Sequence, residues 1–117
     1  MDKEKFEEII LDTLENIPDK FKDKIRNLGI VIEEERIEKS LKNKKGKYTL
    51  GLYHGLPCTK RPGKRYNFPD KITIYKKTLE KISRNDSQLE RNIRKVVLHE
   101  LGHYFGLDDK KLRELGY

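Results

Sequence analysis

The chain has 117 residues, of which 34% are apolar and 40% charged, and its net charge is +7. This length predicts one domain, residues 1–117, and is too short for two. No apolar run approaches the roughly 20 residues of a membrane-spanning helix, so no membrane partner is expected. The acidic N-terminus is unlike a secretory signal, and the lone Cys58 cannot form an internal disulfide. Both features favour a cytoplasmic protein.

The positive charge is concentrated in the middle third of the chain. Residues 39–77 hold 12 basic and one acidic side chain, whereas residues 1–38 have a net charge of −5 and residues 78–117 a net charge of +1. A basic segment suits acidic partners, including nucleic acid. Lysine-rich loops that only keep a protein soluble give the same pattern, and we favour that interpretation.

The N-terminal part of the chain predicts two helices and a strand. Apolar residues at helical spacing indicate an amphipathic helix over residues 3–16. Pro18 ends it and suits the first turn of a second helix, which Gly29 closes. The segment "GIVIEEE" then predicts a short strand, and residues 35–47 predict a polar loop.

The middle of the chain predicts two further strands and a long connection. The segment "YTLGLYHGLP" is typical of a strand, and its glycines, Gly51 and Gly55, indicate a bulge or a close backbone approach. Residues 58–70 contain two prolines and a glycine, which favours a loop, either a mobile lid or a plain connection. The segment "KITIYKK" predicts a third strand, and residues 78–84 a short helix.

The best-defined element is a long helix that starts near residue 87. Ser87 and Glu90 match a capping box, and the apolar residues that follow predict a helix central to the domain. His99 and His103 fall on the side away from most of these apolar residues. We therefore expect both histidines to face something other than the main core. A last short helix, "DDKKLRELG", closes the chain.

The run "HELGHYFGLDD", residues 99–109, carries the pattern of a metal site. His99 and His103 are one helical turn apart, about 6 Å along the axis, so both imidazoles can bind one ion. Zinc suits such nitrogen ligands. Glu100 points beside the ion, where a carboxylate can take a proton from a metal-activated water. The pattern predicts hydrolysis with Glu100 as general base.

A third ligand is expected after the helix. Gly106 can adopt a positive φ, end the helix and turn the chain back. The turn can bring Asp109 to the metal, and two histidines with one carboxylate leave a fourth position for water. Aspartate is also a favoured helix N-cap. We favour capping for Asp108 and metal binding for Asp109, and the choice of third ligand between them stays open.

Four further side chains could border a cleft. His54 could donate a hydrogen bond to a transition state, and strand alternation places it with Leu50 and Leu52. Tyr53, Tyr75 and Tyr104 could stabilise an oxyanion, and Tyr53 and Tyr75 could share one sheet face. A packing role is the favoured alternative for each. Cys58 has no partner at ligand spacing, which favours an inert thiol.

The run from His99 to Asp109 resembles the zincin metallopeptidases. It is most similar to the small bacterial minimal zincins, which carry HExxHxxGxxD near the C-terminus of a short chain. The resemblance covers the whole chain and implies His99, His103 and Asp109 as ligands of one zinc ion and Glu100 as catalytic base. It also implies an α+β fold, in which a small mixed sheet packs against a central active-site helix with additional N-terminal helices.

The resemblance also implies a sheet edge that borders the cleft. The segment "KITIYKK" is our candidate for this edge strand, to which a peptide or protein substrate would add as a further strand. Metzincins share the extended motif but have a methionine turn after the third ligand. The single methionine here is Met1, so membership of that clan is not expected.

The favoured function is a zinc metallopeptidase, a hydrolase of peptide bonds. One alternative is a metal-dependent ribonuclease or RNA-processing factor, which the basic residues 39–77 would suit. Against it, Asp109 replaces a third histidine and Glu100 adds a base that such sites lack. Another alternative is a non-catalytic metal-binding module.

Overall fold

The computed structural model describes residues 1–35, 49–55 and 70–116. Cys58, most of the basic segment 39–77 and most of the predicted loop 58–70 lie outside these residues. The described elements follow one another as α1 (Lys3–Glu15), α2 (Asp19–Lys22), β1 (Leu28–Glu33), β2 (Gly51–His54), β3 (Asp70–Tyr75), α3 (Lys76–Ile82), α4 (Asp86–Tyr104) and α5 (Asp109–Glu114). The fold is α+β, as predicted, with a small mixed sheet packed against the long central helix α4.

The sheet has the order β1-β3-β2, with β1 parallel and β2 antiparallel to β3. The prediction that "KITIYKK" forms the edge strand is wrong, because its first five residues belong to β3, which lies in the centre, and its last two begin α3. Five of the six residues of β3 are buried, and Lys71 alone is exposed. A strand with neighbours on both sides is buried in this way. Among the described strands, β2 is the antiparallel edge.

The second helix is much shorter than predicted. It ends at Lys22, and Gly29 belongs to β1. Asn27 has a φ of 54°, a left-handed conformation that interrupts a helix. The Asn27 carbonyl accepts a hydrogen bond from the Asp70 backbone N–H at 3.0 Å, so the chain here is already joined to β3.

The long helix α4 begins two residues earlier than expected. Asn85 is the N-cap, and its side chain accepts a hydrogen bond from the Gln88 N–H at 2.8 Å. The Gln88 side-chain oxygen in turn accepts from the Arg84 N–H at 2.7 Å. The first bond satisfies a donor that a helix start leaves open, and the second holds the residue before the N-cap, so the arrangement resembles a capping box displaced by one residue. The predicted pair of Ser87 and Glu90 does not supply it.

The core lies between α1, the sheet, α3 and α4. Its fully buried members come from all four, namely Phe6, Ile72, Ile74, Leu79, Ile93, Val97 and Tyr104. At the far end of α4, the Tyr104 hydroxyl accepts a hydrogen bond from the Arg26 N–H at 2.9 Å, which joins the helix to the chain just before β1. In the part of the chain that the structure describes, every helix is too short or too polar to cross a bilayer.

Candidate metal centre

The C-terminal end of α4 turns sharply at Gly106. Its φ is 93°, as the sequence predicted for a turn at this glycine. The Gly106 N–H donates to the His103 carbonyl at 3.0 Å, and the Leu107 N–H donates to the Gly102 carbonyl at 2.9 Å. These two bonds are those of a Schellman motif. The chain therefore leaves the helix and folds back beside its last turns.

The two aspartates after the turn have different surroundings. The Asp108 side chain accepts a hydrogen bond from the Lys111 N–H at 2.8 Å and caps α5. Asp109 faces the histidines instead, with its Oδ1 atom 3.1 Å from Nε2 of His103 and 3.5 Å from Nε2 of His99. The structure thus brings Asp109, and not Asp108, together with the histidine pair.

The two histidines form a half-buried pair. Their ring centroids are 4.9 Å apart and the ring planes are nearly perpendicular, at 84°. Nδ1 of His103 lies 2.9 Å from the Leu107 carbonyl oxygen. Because a carbonyl can only accept, Nδ1 carries the proton, and in the neutral ring Nε2 is left with its lone pair towards Asp109. Metal-binding histidines are commonly oriented by such a bond.

Glu100 is almost completely buried, with 6% of its surface exposed. Burial raises the pKa of its carboxyl group, the charges of His103 and His99 oppose this rise, and the charge of Asp109 adds to it. Among the described residues, none gives the Oε2 atom a hydrogen-bond partner. A buried carboxylate oxygen without a partner is costly, and such atoms are uncommon in folded proteins. Glu100 therefore has an unmet capacity to accept a proton or a donor.

The edge strand β2 passes directly over Glu100. A Cβ atom on Gly51 would lie 3.2 Å from Cγ of Glu100 and 2.9 Å from Cγ2 of Val96. At Gly55, where φ is 150°, a Cβ would overlap the Asp70 carboxylate. The prediction of a close backbone approach at these two glycines is confirmed.

The donor atoms fit a zinc-type cation. The ligand atoms of His99, Glu100 and His103 all lie within 4.8 Å of one another. Two ligands at tetrahedral angles on zinc are about 3.3 Å apart, and the distances from Asp109 Oδ1 to the two Nε2 atoms, 3.1 and 3.5 Å, lie on either side of this value. The Nε2 lone pair of His103, this close to the Asp109 carboxylate oxygen, repels it unless a positive charge or a shared proton lies between them. A cation between the imidazole nitrogens and the carboxylate would remove this repulsion.

The tyrosines of the predicted cleft have bonded hydroxyl groups. Tyr53 donates to Oδ2 of the buried Asp70 at 2.8 Å, and its ring meets that of Tyr104 edge-on at 6.0 Å. Tyr104 is fully buried, and its hydroxyl also lies near the carbonyls of Lys24 and Arg26. Both side chains therefore have structural contacts.

The register separates the remaining predicted residues from this cluster. Gly51 pairs with Ile74 and Tyr53 with Ile72, and their face of the sheet meets α4. By alternation, Tyr75 and His54 point to the opposite face. The expectation that Tyr53 and Tyr75 share a face is wrong. His54 is exposed and Tyr75 is buried, and neither lies on the sheet face that meets α4.

Two residues that the sequence did not single out lie beside the cluster. Gly102 is in the helix between Glu100 and His103, and the Leu112 side chain of α5 packs against it. The sequence feature that could have revealed this contact is Gly102 itself. A glycine inside a helix is about 1 kcal/mol less favourable than alanine, so its presence calls for a packing reason.

The comparison with known families agrees with this geometry. A family model described as a zincin-like metallopeptidase matches residues 25–117. The match includes the whole sheet, α4 and α5, and leaves α1 and α2 outside. No curated protein matches the chain. The match spans well over half of the sequence and contains the HExxH pattern at His99–His103, so the chain belongs to the zincin-like metallopeptidase family.

Proposed function

We propose that this protein is a zinc-dependent metallopeptidase that hydrolyses peptide bonds in a peptide or protein substrate. The metal ligands are His99, His103 and Asp109, and Glu100 is the general base. One observation carries the proposal: two imidazole nitrogens and the Asp109 carboxylate converge beside a buried glutamate whose Oε2 atom has no partner among the described residues.

The proposed ligand set leaves one coordination position open, as catalytic zinc sites do. Zinc held by these three residues would lower the pKa of a water molecule in that position and would polarise the carbonyl group of the substrate. The chain contributes the orientation of the ligands. The bond between His103 Nδ1 and the Leu107 carbonyl fixes the ring and directs Nε2 towards the site.

Glu100 supplies the proton transfers. Burial raises the pKa of its carboxyl group towards neutral pH. A base with a pKa near the working pH both accepts and releases protons effectively. Its Oε2 atom takes the proton from the attacking water, and the same carboxyl group then delivers that proton to the amine of the broken peptide bond. The neighbouring strand, which passes over Glu100, limits the access of bulk water to it.

The edge of β2 is the proposed binding surface for substrate. The Tyr75 N–H donates to the Leu50 carbonyl at 3.0 Å, so Leu50 is hydrogen-bonded to β3. In an antiparallel pair the next residue, Gly51, directs its N–H and C=O away from β3. An extended peptide can add to such an edge through main-chain hydrogen bonds. β2 thus takes the role first expected of "KITIYKK".

The test is a metal and activity analysis of three proteins, the native chain, Glu100→Gln and His103→Ala. We expect about one zinc per native chain and per Glu100→Gln chain, and little zinc in His103→Ala. Hydrolysis of a mixed peptide library should fall about 10²–10⁴-fold in Glu100→Gln, because a general base contributes a factor of this size. Circular dichroism shows whether each variant is folded.

The alternatives give different results. Peptide cleavage by Glu100→Gln at the native rate would contradict the mechanism. Zinc binding without hydrolysis of any peptide would indicate a non-catalytic metal-binding module. Cleavage of RNA with peptides left intact would favour the ribonuclease.

A further inference from the structure

We propose that Gly102 and Leu112 are positioning residues, which together hold the Asp109 carboxylate against His99 and His103. The chemical purpose of this arrangement rests on the proposed function, because it places the third metal ligand. Its geometry involves only atoms of the chain, so it can be tested with and without metal.

The contact between α4 and α5 is built around a missing side chain. Leu112 is 1% exposed and lies against Gly102. A Cβ atom on Gly102 would overlap Cδ2 of Leu112 and approach its Cγ and Cδ1 to 3.4 Å. Leu112 therefore occupies a notch in the surface of α4, which any side chain at position 102 would fill.

Close approach, and not an unusual backbone, explains this glycine. Gly102 lies within the helix and is not among the glycines with positive φ, unlike Gly106. An alanine would suit such a helical backbone better than glycine does. The benefit of glycine here is the room that it leaves for Leu112.

The position of α5 depends on this notch. The helix has six residues, Asp109–Glu114, and Leu112 is the buried one among them. A helix of this length is not stable alone, so packing must hold it in place. At its start, the Asp108 cap fixes the first turn but makes no bond to α4 in doing so. Leu112 is thus the anchor of α5 on α4.

The anchor determines where Asp109 lies. Asp109 precedes Leu112 by three residues, and residues at this spacing lie on the same side of a helix. The Asp109 side chain is 71% exposed, so little packing holds it directly. Its distance of 3.1 Å to His103 is therefore set by the backbone of α5 and, through it, by Leu112 in the notch.

The experiment compares Gly102→Ala, Leu112→Ala and the double variant with the native chain. Leu115→Ala is the matched control, because Leu115 ends the same helix but is half exposed and outside the notch. Co²⁺ is the probe: its affinity is measured by competition with a chelator, and its visible spectrum reports the ligand set. Hydrogen exchange of the Lys111 and Leu112 amides in the metal-free protein reports the docking of α5.

Each single notch variant should bind Co²⁺ about 10–100-fold more weakly, because a misplaced ligand support typically costs this much. The spectrum should change and the two amides should exchange faster. In the double variant the new methyl group occupies space that the leucine has left, so part of the affinity and protection should return. Leu115→Ala should resemble the native chain.

If Gly102→Ala has the Co²⁺ affinity, the visible spectrum and the amide exchange of the native chain, this proposal is overturned and the proposed function stays intact. Weaker Co²⁺ binding with unchanged exchange in α5 would also overturn it. If the native chain binds no metal, the proposed function fails, and exchange alone decides the positioning role: unchanged exchange in Gly102→Ala refutes it, and faster exchange that the double variant partly reverses supports it. If Gly102→Ala does not fold, Leu112→Ala carries the same test.

Discussion

The two halves of α4 have opposite characters. In the first half, Ile93 is fully buried, and Arg94 bonds to Asp12 at 2.7 Å and to Glu90 at 3.0 Å. In the second half, Glu100 is buried with an oxygen that no described residue satisfies, beside two half-buried histidines. In the first half, the charged Arg94 side chain is paired within the protein. In the second half, the Oε2 atom of Glu100 has no hydrogen-bond partner among the described residues. The candidate metal centre is thus confined to the second half, although core side chains such as Val97 and Tyr104 lie there as well.

The largest expected effect is on stability, from the first half. Ile93→Ala should lower the free energy of unfolding by about 2–5 kcal/mol, because it leaves a cavity in the core. Urea denaturation of the metal-free protein measures this. The fraction that remains folded should bind zinc with native affinity, since Ile93 lies about two turns before His99. A loss of zinc affinity in the folded fraction of Ile93→Ala would show that the first half of α4 also influences the metal centre.

The next effect belongs to the second half. Asp109→Asn should weaken zinc binding about 100-fold or more, because it removes the charged ligand while keeping its shape. Asp108→Asn is the control, since asparagine caps a helix as well as aspartate does and should leave both zinc affinity and stability unchanged. Chelator competition distinguishes the two variants. If both variants lose the same zinc affinity, the start of α5, and not a ligand at Asp109, would be responsible for the loss.

A smaller effect follows from the buried charge of Glu100. Its pKa is raised in the folded protein, so the folded state holds this proton more tightly than the unfolded state does. The contribution of Glu100 to stability is therefore greatest below its ordinary pKa of 4.5 and is lost as pH rises through the raised value. At pH 8, metal-free Glu100→Gln should therefore be more stable than the native chain, and at pH 5 this difference should be smaller.

Urea denaturation at pH 5 and pH 8 measures this difference. The exposed Glu7 offers a matched control, since Glu7→Gln makes the same substitution at a carboxyl group that is not buried. A native chain that is as stable as Glu100→Gln at both pH values would show that burial does not penalise the Glu100 charge. The second half of α4 would then lack the strain that distinguishes it from the first.

The smallest effect concerns the ion pair between the helices. Removing the Arg94–Asp12 interaction should cost about 0.2–1 kcal/mol, because both side chains are partly exposed. A double-mutant cycle of Arg94→Ala and Asp12→Ala isolates the pair, and added salt should reduce its coupling energy. Coupling that persists unchanged in high salt would mean that this half of the helix also holds a strongly buried charge.

The geometry of the candidate site was predictable because its residues are close in sequence. One helical turn places His99 and His103 together, and the turn at Gly106 returns the chain within three residues, so local geometry determines most of the arrangement. The positive φ of Gly106 and the cap at Asp108 were both expected and both are present. The position of Asp109 was not predictable from local geometry alone, because we infer that it also depends on how Leu112 packs against Gly102.

The order of the strands was not predictable in this way. It depends on pairings between β1, β2 and β3, which are far apart in the sequence, and the alternation within "KITIYKK" suits an edge or a central strand. The early end of α2 has a similar cause. The bond between the Asn27 carbonyl and the Asp70 N–H belongs to the tertiary structure, and no local pattern in "PDKFKDKIRNLG" indicates it, although asparagine readily adopts the left-handed conformation.

The candidate centre occupies the last turns of a helix of 19 residues. Peptide dipoles aligned along such a helix leave about half a negative charge at its carboxyl end, which favours a nearby cation by about 0.3–1 kcal/mol. The main chain of α4 thus contributes an attraction of its own, in addition to that of the three proposed ligands. No substitution of a side chain removes this part, so even variants that lack a ligand retain a residual preference for positive charge at this end of the molecule.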